Sequence, residues 1–279
     1  MSNNRDRAAG WKHAKLSGHE NEFKLEVLMQ SDGKIQKSFL ERIGKANEKI
    51  VHIDIGGLCE KDVDCIFVGE KTKSKTDMHI VLSDDSRYNI SIKKSEGGQV
   101  YLIGPTRFIN GFEKQYSVKI PDNIKRAISL FWGTANDVLD IVNQFGTKKS
   151  YETRKHRLVG DTLCKYDKIL YFELLSWFKD NMYNVTDFCF SKGLAKNSCD
   201  WANVVWYKNE LGENEVDKIF LIEDLCKQCE KNANIATEYG SVNGGTTIQL
   251  PFGFVQWHSP TKKIPGDMQF HHKYYKLLK

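Results

Sequence analysis

Two short runs of alternating apolar residues constrain this chain more than any other feature. Met78, Ile80 and Leu82 alternate with other residues, a polar turn passes through Ser83-Asp84-Asp85-Ser86, and Tyr88, Ile90 and Ile92 resume the alternation. That is the pattern of a half-buried β-hairpin. Successive strand side chains point to opposite faces, so Ser91 and Lys93 lie on the face away from Ile90 and Ile92. The hairpin thus sets Lys93 on one strand and Asp77 at the mouth of the other. An ammonium directed off a central strand is costly unless it is paired. Phosphodiester hydrolysis gives it a use: Asp77 would hold a divalent cation that polarises the phosphate and acidifies a bound water, and Lys93 would orient that water and stabilise the developing charge. Taken alone, the two residues fit equally well an exposed turn followed by a solvated strand lysine.

The wider context resembles the PD-(D/E)XK nuclease superfamily and, within it, the type II restriction endonucleases. Lys75-Thr76-Asp77 is similar to the turn that opens the catalytic hairpin there, and Ser91-Ile92-Lys93 occupies the place of the acid-x-Lys element. Gly18-His19-Glu20-Asn21-Glu22-Phe23 opens an amphipathic helix where these enzymes place a further carboxylate, and Glu22 matches it best by position. Ser95-Glu96-Gly97-Gly98-Gln99-Val100 resembles the Gly-containing turn that follows the lysine, and a weaker likeness lies in Met268-Gln269-Phe270. The resemblance covers residues 15–105. It implies an α/β, restriction-endonuclease-like fold: a central mixed sheet flanked by helices, with an added C-terminal α+β recognition region. It further implies one or two Mg2+ ions held by Asp77 and Glu22, Lys93 at the attacking water, and Ser91 as a weak polar participant where the family carries Asp or Glu. Some enzymes of the superfamily are similar in replacing that acid by an uncharged polar residue.

The function so implied is that of a type II restriction endonuclease, with Mg2+-dependent, sequence-specific cleavage of double-stranded DNA leaving 5′-phosphate ends. Two other readings stand beside it. One is a structure-specific repair or recombination nuclease of the same superfamily. The other is a catalytically silent DNA-binding protein that keeps the fold, which Ser91 favours and Lys93 opposes. A rival site of Asp62 or Asp64 with Glu70 ranks lower, because Thr72 stands where a lysine is needed two positions after Glu70.

Composition agrees with a nuclease without requiring one. Lys and Arg total 41 against 36 Asp and Glu, a formal charge of +5 that permits nucleic-acid binding but does not demand it. No apolar run approaches the roughly 20 residues that span a bilayer, so no membrane partner is expected. The seven cysteines, an odd number with no signal-peptide pattern before them, are expected as free thiols in a reducing cytoplasm. Cys226-x-x-Cys229 lacks a second pair at zinc spacing and is expected to be structural. Both a homodimer matched to a palindromic site and a monomer remain open. There is no Walker loop, Rossmann glycine fingerprint, His-Glu-x-x-His helix, Gly-x-Ser-x-Gly elbow or internal repeat.

Along the chain, the basic arm of residues 1–14 reads equally as a DNA-backbone contact or as disordered. Helices are expected from Asn21 to about Gln30 and from near Ile35, followed by the catalytic sheet over residues 50–104 and helices from Pro121 to about Asn181. In the last third, Ala202 to Tyr207 reads as a strand, Ile219 to Cys229 as helical, and Thr246 to Trp257 as a hairpin. The expected divisions are 1–120 (N-terminal helices and catalytic sheet), 121–200 (helical region) and 201–279 (DNA recognition), or one continuous domain. Residues expected to face DNA are Lys73 and Lys75 in the lysine-rich turn, Lys94 and Gln99 beyond the catalytic strand, and Arg154, Lys155 and Arg157 in a basic segment. Asn243, Gln249, Gln256, Lys262 and Lys263 on or beside the C-terminal ribbon complete the set, Gln and Asn being suited to adenine and Lys to guanine.

Overall fold

The computed structural model describes residues 7–55, 62–146, 156–212, 215–237, 245–258 and 266–277. The chain packs as two compact units, Met1–Glu96 with Phe190–Asp224 and Gly97–Cys189 with Leu225–Lys279. This division cuts across the three consecutive segments read from the sequence, because the chain leaves the first unit after the strand that carries Lys93 and returns to it later.

The first unit begins with helices α1 (Arg7–Ser31) and α2 (Gly33–Arg42). Asp32 caps α2, its side chain accepting from the Lys34 amide at 2.8 Å. Strand β1 (Ile50–Ile55) follows, then a small ribbon of β2 (Asp62–Asp64) and β3 (Lys71–Lys73), then the hairpin of β4 (Met78–Leu82) and β5 (Arg87–Lys93). The next strand, β6 (Gly97–Ile103), belongs to the second unit, whereas β7 (Val204–Lys208) and β8 (Asp217–Leu221) return to the first. The resulting sheet has the order β1-β4-β5-β7-β8, with β5 and β7 parallel and every other pair antiparallel. It is the expected central mixed sheet. The period-2 pattern sends Met78, Ile80, Leu82, Ile90, Ile92, Val204 and Trp206 to one face, where they bury against Leu25 and Met29 of α1 and Phe39 and Leu40 of α2.

Trp206 anchors that core: it is 1% exposed, its ring lies 5.1 Å from that of Phe39, and its Nε1 donates to Asp217 at 3.0 Å. Trp206→Ala is therefore expected to cost about 3–5 kcal/mol of folding stability, read from the urea midpoint. A loss under about 1 kcal/mol would mean that the helices do not depend on this contact.

The second unit holds β6 and, from the C-terminal part, β9 (Ala236–Thr237), β10 (Thr247–Leu250), β11 (Gly253–His258) and β12 (Asp267–Lys273), in the antiparallel order β6-β12-β11-β10-β9. Its helices are α3 (Pro105–Tyr116), α4 (Asp122–Trp132), α5 (Val138–Phe145), α6 (Gly160–Tyr166), α7 (Lys168–Asp180) and α8 (Met182–Asp187). Helix α9 (Ile222–Lys231) starts in the first unit and ends in the second, and α10 (Tyr274–Leu277) follows β12. One sheet face is apolar: Phe270 of β12 lies 5.7 Å from Phe108 of α3, which meets Trp177 and Phe188 edge-on. Among the described residues no helix is long and apolar enough to cross a membrane.

Several expectations change. Helix α1 starts at Arg7 rather than near Asn21, because Gly18 has open space around it and the helix runs straight through it. The sheet read over residues 50–104 is two sheets, β6 pairing with β12. Helix α3 was not anticipated, although Pro105 at its first turn and Phe108, Phe112 and Tyr116 at spacing four are its signal. Residues 217–221 form a strand before α9 begins. The lysine-rich turn begins as strand β3, with Lys71 and Lys73 ion-paired to Asp64 and Asp62 at 2.6 and 2.9 Å.

Candidate active site

The β4–β5 ladder ends in a way that assembles a polar cluster. Asp77, just before β4, donates its amide to Ile90 O at 2.8 Å. The strands then part, and the Ile92 amide is taken by the Asp77 carboxylate, Oδ2 accepting at 2.7 Å. The Ser91 hydroxyl donates to the same oxygen at 3.4 Å and accepts from Lys93 Nζ at 2.7 Å. Lys93 also donates to Ile92 O at 3.1 Å. Ammonium, hydroxyl and carboxylate thus form a relay, with Ser91, 2% exposed, as its middle link. The segment leading to Asp77 is pinned from the other side: the Ser74 and Thr76 hydroxyls both donate to Asp200 O, at 3.1 and 3.4 Å, and the Thr76 amide donates to Ser74 Oγ at 3.0 Å.

Helix α1 brings Glu22 to this cluster. Its neighbour Asn21, fully buried, donates to Lys208 O at 2.8 Å and accepts from the Glu210 amide at 2.7 Å, which fixes the helix against the end of β7. His19, one turn earlier, lies 3.4 Å from Glu22. Neither Asn21 nor His19 was singled out from the sequence. Their signal is positional, since both flank the carboxylate in the motif Gly18 to Phe23.

The electrostatics show a site short of positive charge. Burial pushes the Asp77 carboxyl above the usual range, and Lys93 and the Ile92 amide only partly offset it. Glu22 is raised by burial first and by the Asp77 charge second, against the opposing pull of Lys93 and His19. Two carboxylates that remain hard to ionise beside a lysine are suited to a cation. Among the described residues there is no group of three or more His, Cys, Asp and Glu that could hold a metal ion. Two carboxylates with oxygen neighbours suit Mg2+, which keeps several waters and takes its remaining ligands from phosphate.

The other expected residues are dispersed. Lys75 is half-buried and its charge reaches Asp77, while Lys94 is half-buried just past β5. Lys73 is exposed and paired with Asp62, and the rival acids Asp62 and Asp64 are both taken up in that ribbon. Gln99 is exposed on β6, and Gln256 is half-buried on β11. Gln249 uses both ends internally, accepting from Lys276 at 2.9 Å and donating to Thr247 at 3.2 Å. Arg157 is 5% exposed, donates to Phe131 O and Thr246 O, and lies over the Phe131 and Trp257 rings at 5.4 Å each, so its guanidinium has a structural place. Arg154, Lys155, Asn243, Lys262 and Lys263 lie outside the described residues. Cys226 and Cys229 are buried, and burial pushes the Cys229 thiol up to about 12, consistent with a structural role.

No family profile matches the chain, and no curated protein matches it. Among solved structures it is similar to the restriction endonuclease MspI in complex with its cognate DNA, with a TM-score of 0.48 and 12% identity over 85% of this chain and 77% of that one.

Proposed function

We propose that this chain is a Mg2+-dependent endonuclease of double-stranded DNA, of the type II restriction kind, leaving 5′-phosphate ends. One observation carries the reading: Lys93 Nζ is held 2.7 Å from Ser91 Oγ, which in turn contacts the half-buried Asp77 carboxylate, with Glu22 close enough to feel both charges. Asp77 and Glu22 would hold the cation, which when bound supplies polarisation of the phosphate and a more acidic water. Lys93 supplies a positive charge where the phosphate gains negative charge, and it orients the attacking water. Ser91 holds the ammonium in place, and the Ile92 amide fixes the Asp77 carboxylate that would face the metal.

The test is digestion of long duplex DNA by purified protein with Mg2+, with EDTA as control and the fragment ends sequenced. Discrete fragments sharing a terminal sequence, lost in EDTA, support the reading. A smear would favour a structure-specific nuclease, and uncut DNA that is shifted on a gel would favour a silent binder in which Ser91 has replaced the needed acid.

The raised carboxyls also predict a stability signature. A carboxyl whose pKa is higher folded than unfolded stabilises the fold fully below the unfolded value, and that contribution is lost as pH rises through the folded value. Mg2+ binds the ionised forms and reverses the loss. The Mg2+-induced rise in Tm should therefore grow as pH rises from below the ordinary carboxylate range to above the raised values of Asp77 and Glu22. A gain independent of pH would detach the metal from Asp77 and Glu22.

A further inference from the structure

The sheet of the second unit has a second face, and it is paved with amides. Gln256 of β11 donates through Nε2 to Gln269 Oε1 of β12 at 2.9 Å and to His271 Nε2 at 3.2 Å. Gln269 in turn donates through Nε2 to Gln99 Oε1 of β6 at 2.8 Å. His271 hydrogen-bonds the Gly98 backbone as well, and its ring stacks on Phe254 at 4.6 Å and 10°. Burial, with His258 and Lys273 adding, holds His271 below the usual imidazole range, so its Nε2 stays available as an acceptor. Gly253 lets β11 approach this closely, since a Cβ there would collide with the His271 carbonyl oxygen.

The row is therefore polarised. Gln256 uses its NH2 group twice and is left with Oε1, a pure acceptor, at the β11 end. Gln99 accepts from Gln269 and, among the described residues, has no acceptor for its own NH2, which leaves a pure donor pair at the exposed β6 end. A sheet-stabilising ladder does not require outward groups of opposite kind at its two ends. In a DNA major groove guanine offers two acceptors, whereas cytosine and adenine offer an exocyclic amine.

We infer that the Gln99–Gln269–Gln256 row, with His271 as its positioning residue, reads base edges of duplex DNA, selecting guanine at the Gln99 end and an amine-bearing base at the Gln256 end. This rests on the proposed endonuclease reading and adds to it the bases that are recognised and two residues, Gln269 and His271.

The experiment is cleavage of a randomised duplex library by the full chain with Mg2+, with sequencing of the cut ends for wild type, Gln99→Ala, Gln99→Glu and His271→Phe. Melting curves confirm that each variant folds. Wild-type ends should share a guanine, and Gln99→Ala should relax preference at that position by about ten- to hundredfold. Gln99→Glu, an acceptor in place of donors, should turn that preference toward cytosine, and His271→Phe should relax the position read by Gln256. Unchanged preferences in folded variants would overturn the inference while leaving the proposed function intact, and wild-type cutting without any preference would overturn the inference together with the type II reading, leaving a nuclease of the structure-specific kind. Wild-type protein that neither binds nor cuts duplex DNA would overturn both.

Discussion

Replacing Lys93 by alanine is expected to slow DNA cleavage by about a hundred- to a thousandfold, the usual loss when one donor to a developing negative charge is removed. The loss should fall on kcat rather than KM, because the ammonium acts on charge that appears only as the bond breaks. Two further consequences follow from its contacts. Lys93 is the main charge opposing the burial of Asp77 and one of those opposing the burial of Glu22. Without it both carboxyls ionise at higher pH, so the acid side of the pH–rate profile should move upward in the residual activity. Lys93 pairs with Tyr207 through its backbone, so the strand is retained, and any fall in Tm should be confined to pH above the raised carboxyl values, where the carboxylate charges lose the ammonium that opposes their burial. Lys93→Arg keeps the charge and should retain the pH profile with part of the rate. A variant that cuts at the wild-type rate would remove this lysine, and with it the proposed site.

Asp77→Asn should abolish Mg2+-dependent cleavage, by about a thousandfold or more, and at the same time make the metal-free protein more stable at neutral pH. The second effect separates a metal ligand from a structural carboxylate. Asn keeps an oxygen that can accept from the Ile92 amide, so the local backbone is preserved. What it removes is a charge that the fold buries unfavourably. The variant's advantage over wild type should be largest above the raised pKa of Asp77 and should vanish as pH falls and wild type becomes neutral as well. The Mg2+-induced rise in Tm should disappear with it. Thermal melts of both proteins across pH, with and without Mg2+, give the answer. A destabilised variant at neutral pH would mean that Asp77 serves chiefly to hold the hairpin.

The hairpin was legible because its information is local: the alternation of Met78, Ile80, Leu82, Ile90 and Ile92 fixes both strands and the face on which Ser91 and Lys93 stand. Glu22 was reachable only through the motif around it, since what holds it near Asp77 is the bond of Asn21 to Lys208, nearly two hundred residues away. The pairing of β6 with β12 has the same character: nothing in Gly97 to Ile103 names its partner, and strand propensity cannot say which sheet a strand joins. Arg157 shows the opposite error of a local reading. It was grouped with its basic neighbours as a DNA contact, yet the Phe131 and Trp257 rings and two carbonyls enclose it.

The parallel pairing of β5 with β7 also sets a clock. β5 ends at Lys93 and β7 starts at Val204, so the strand carrying the lysine waits for its neighbour while on the order of a hundred residues are synthesised. At about 5–20 residues per second that is roughly 5–20 s. Throughout it, β5 remains an open edge able to pair with other chains. Helix α1 cannot be fastened through Asn21 to Lys208 and Glu210 any sooner. A ribosome-bound chain therefore carries Asp77 and Lys93 well before it carries a completed site. An enzyme that cuts DNA would on this account be inert until β7 and the turn after it have been made, and slowed translation through the second unit would lengthen its exposure to aggregation rather than its activity.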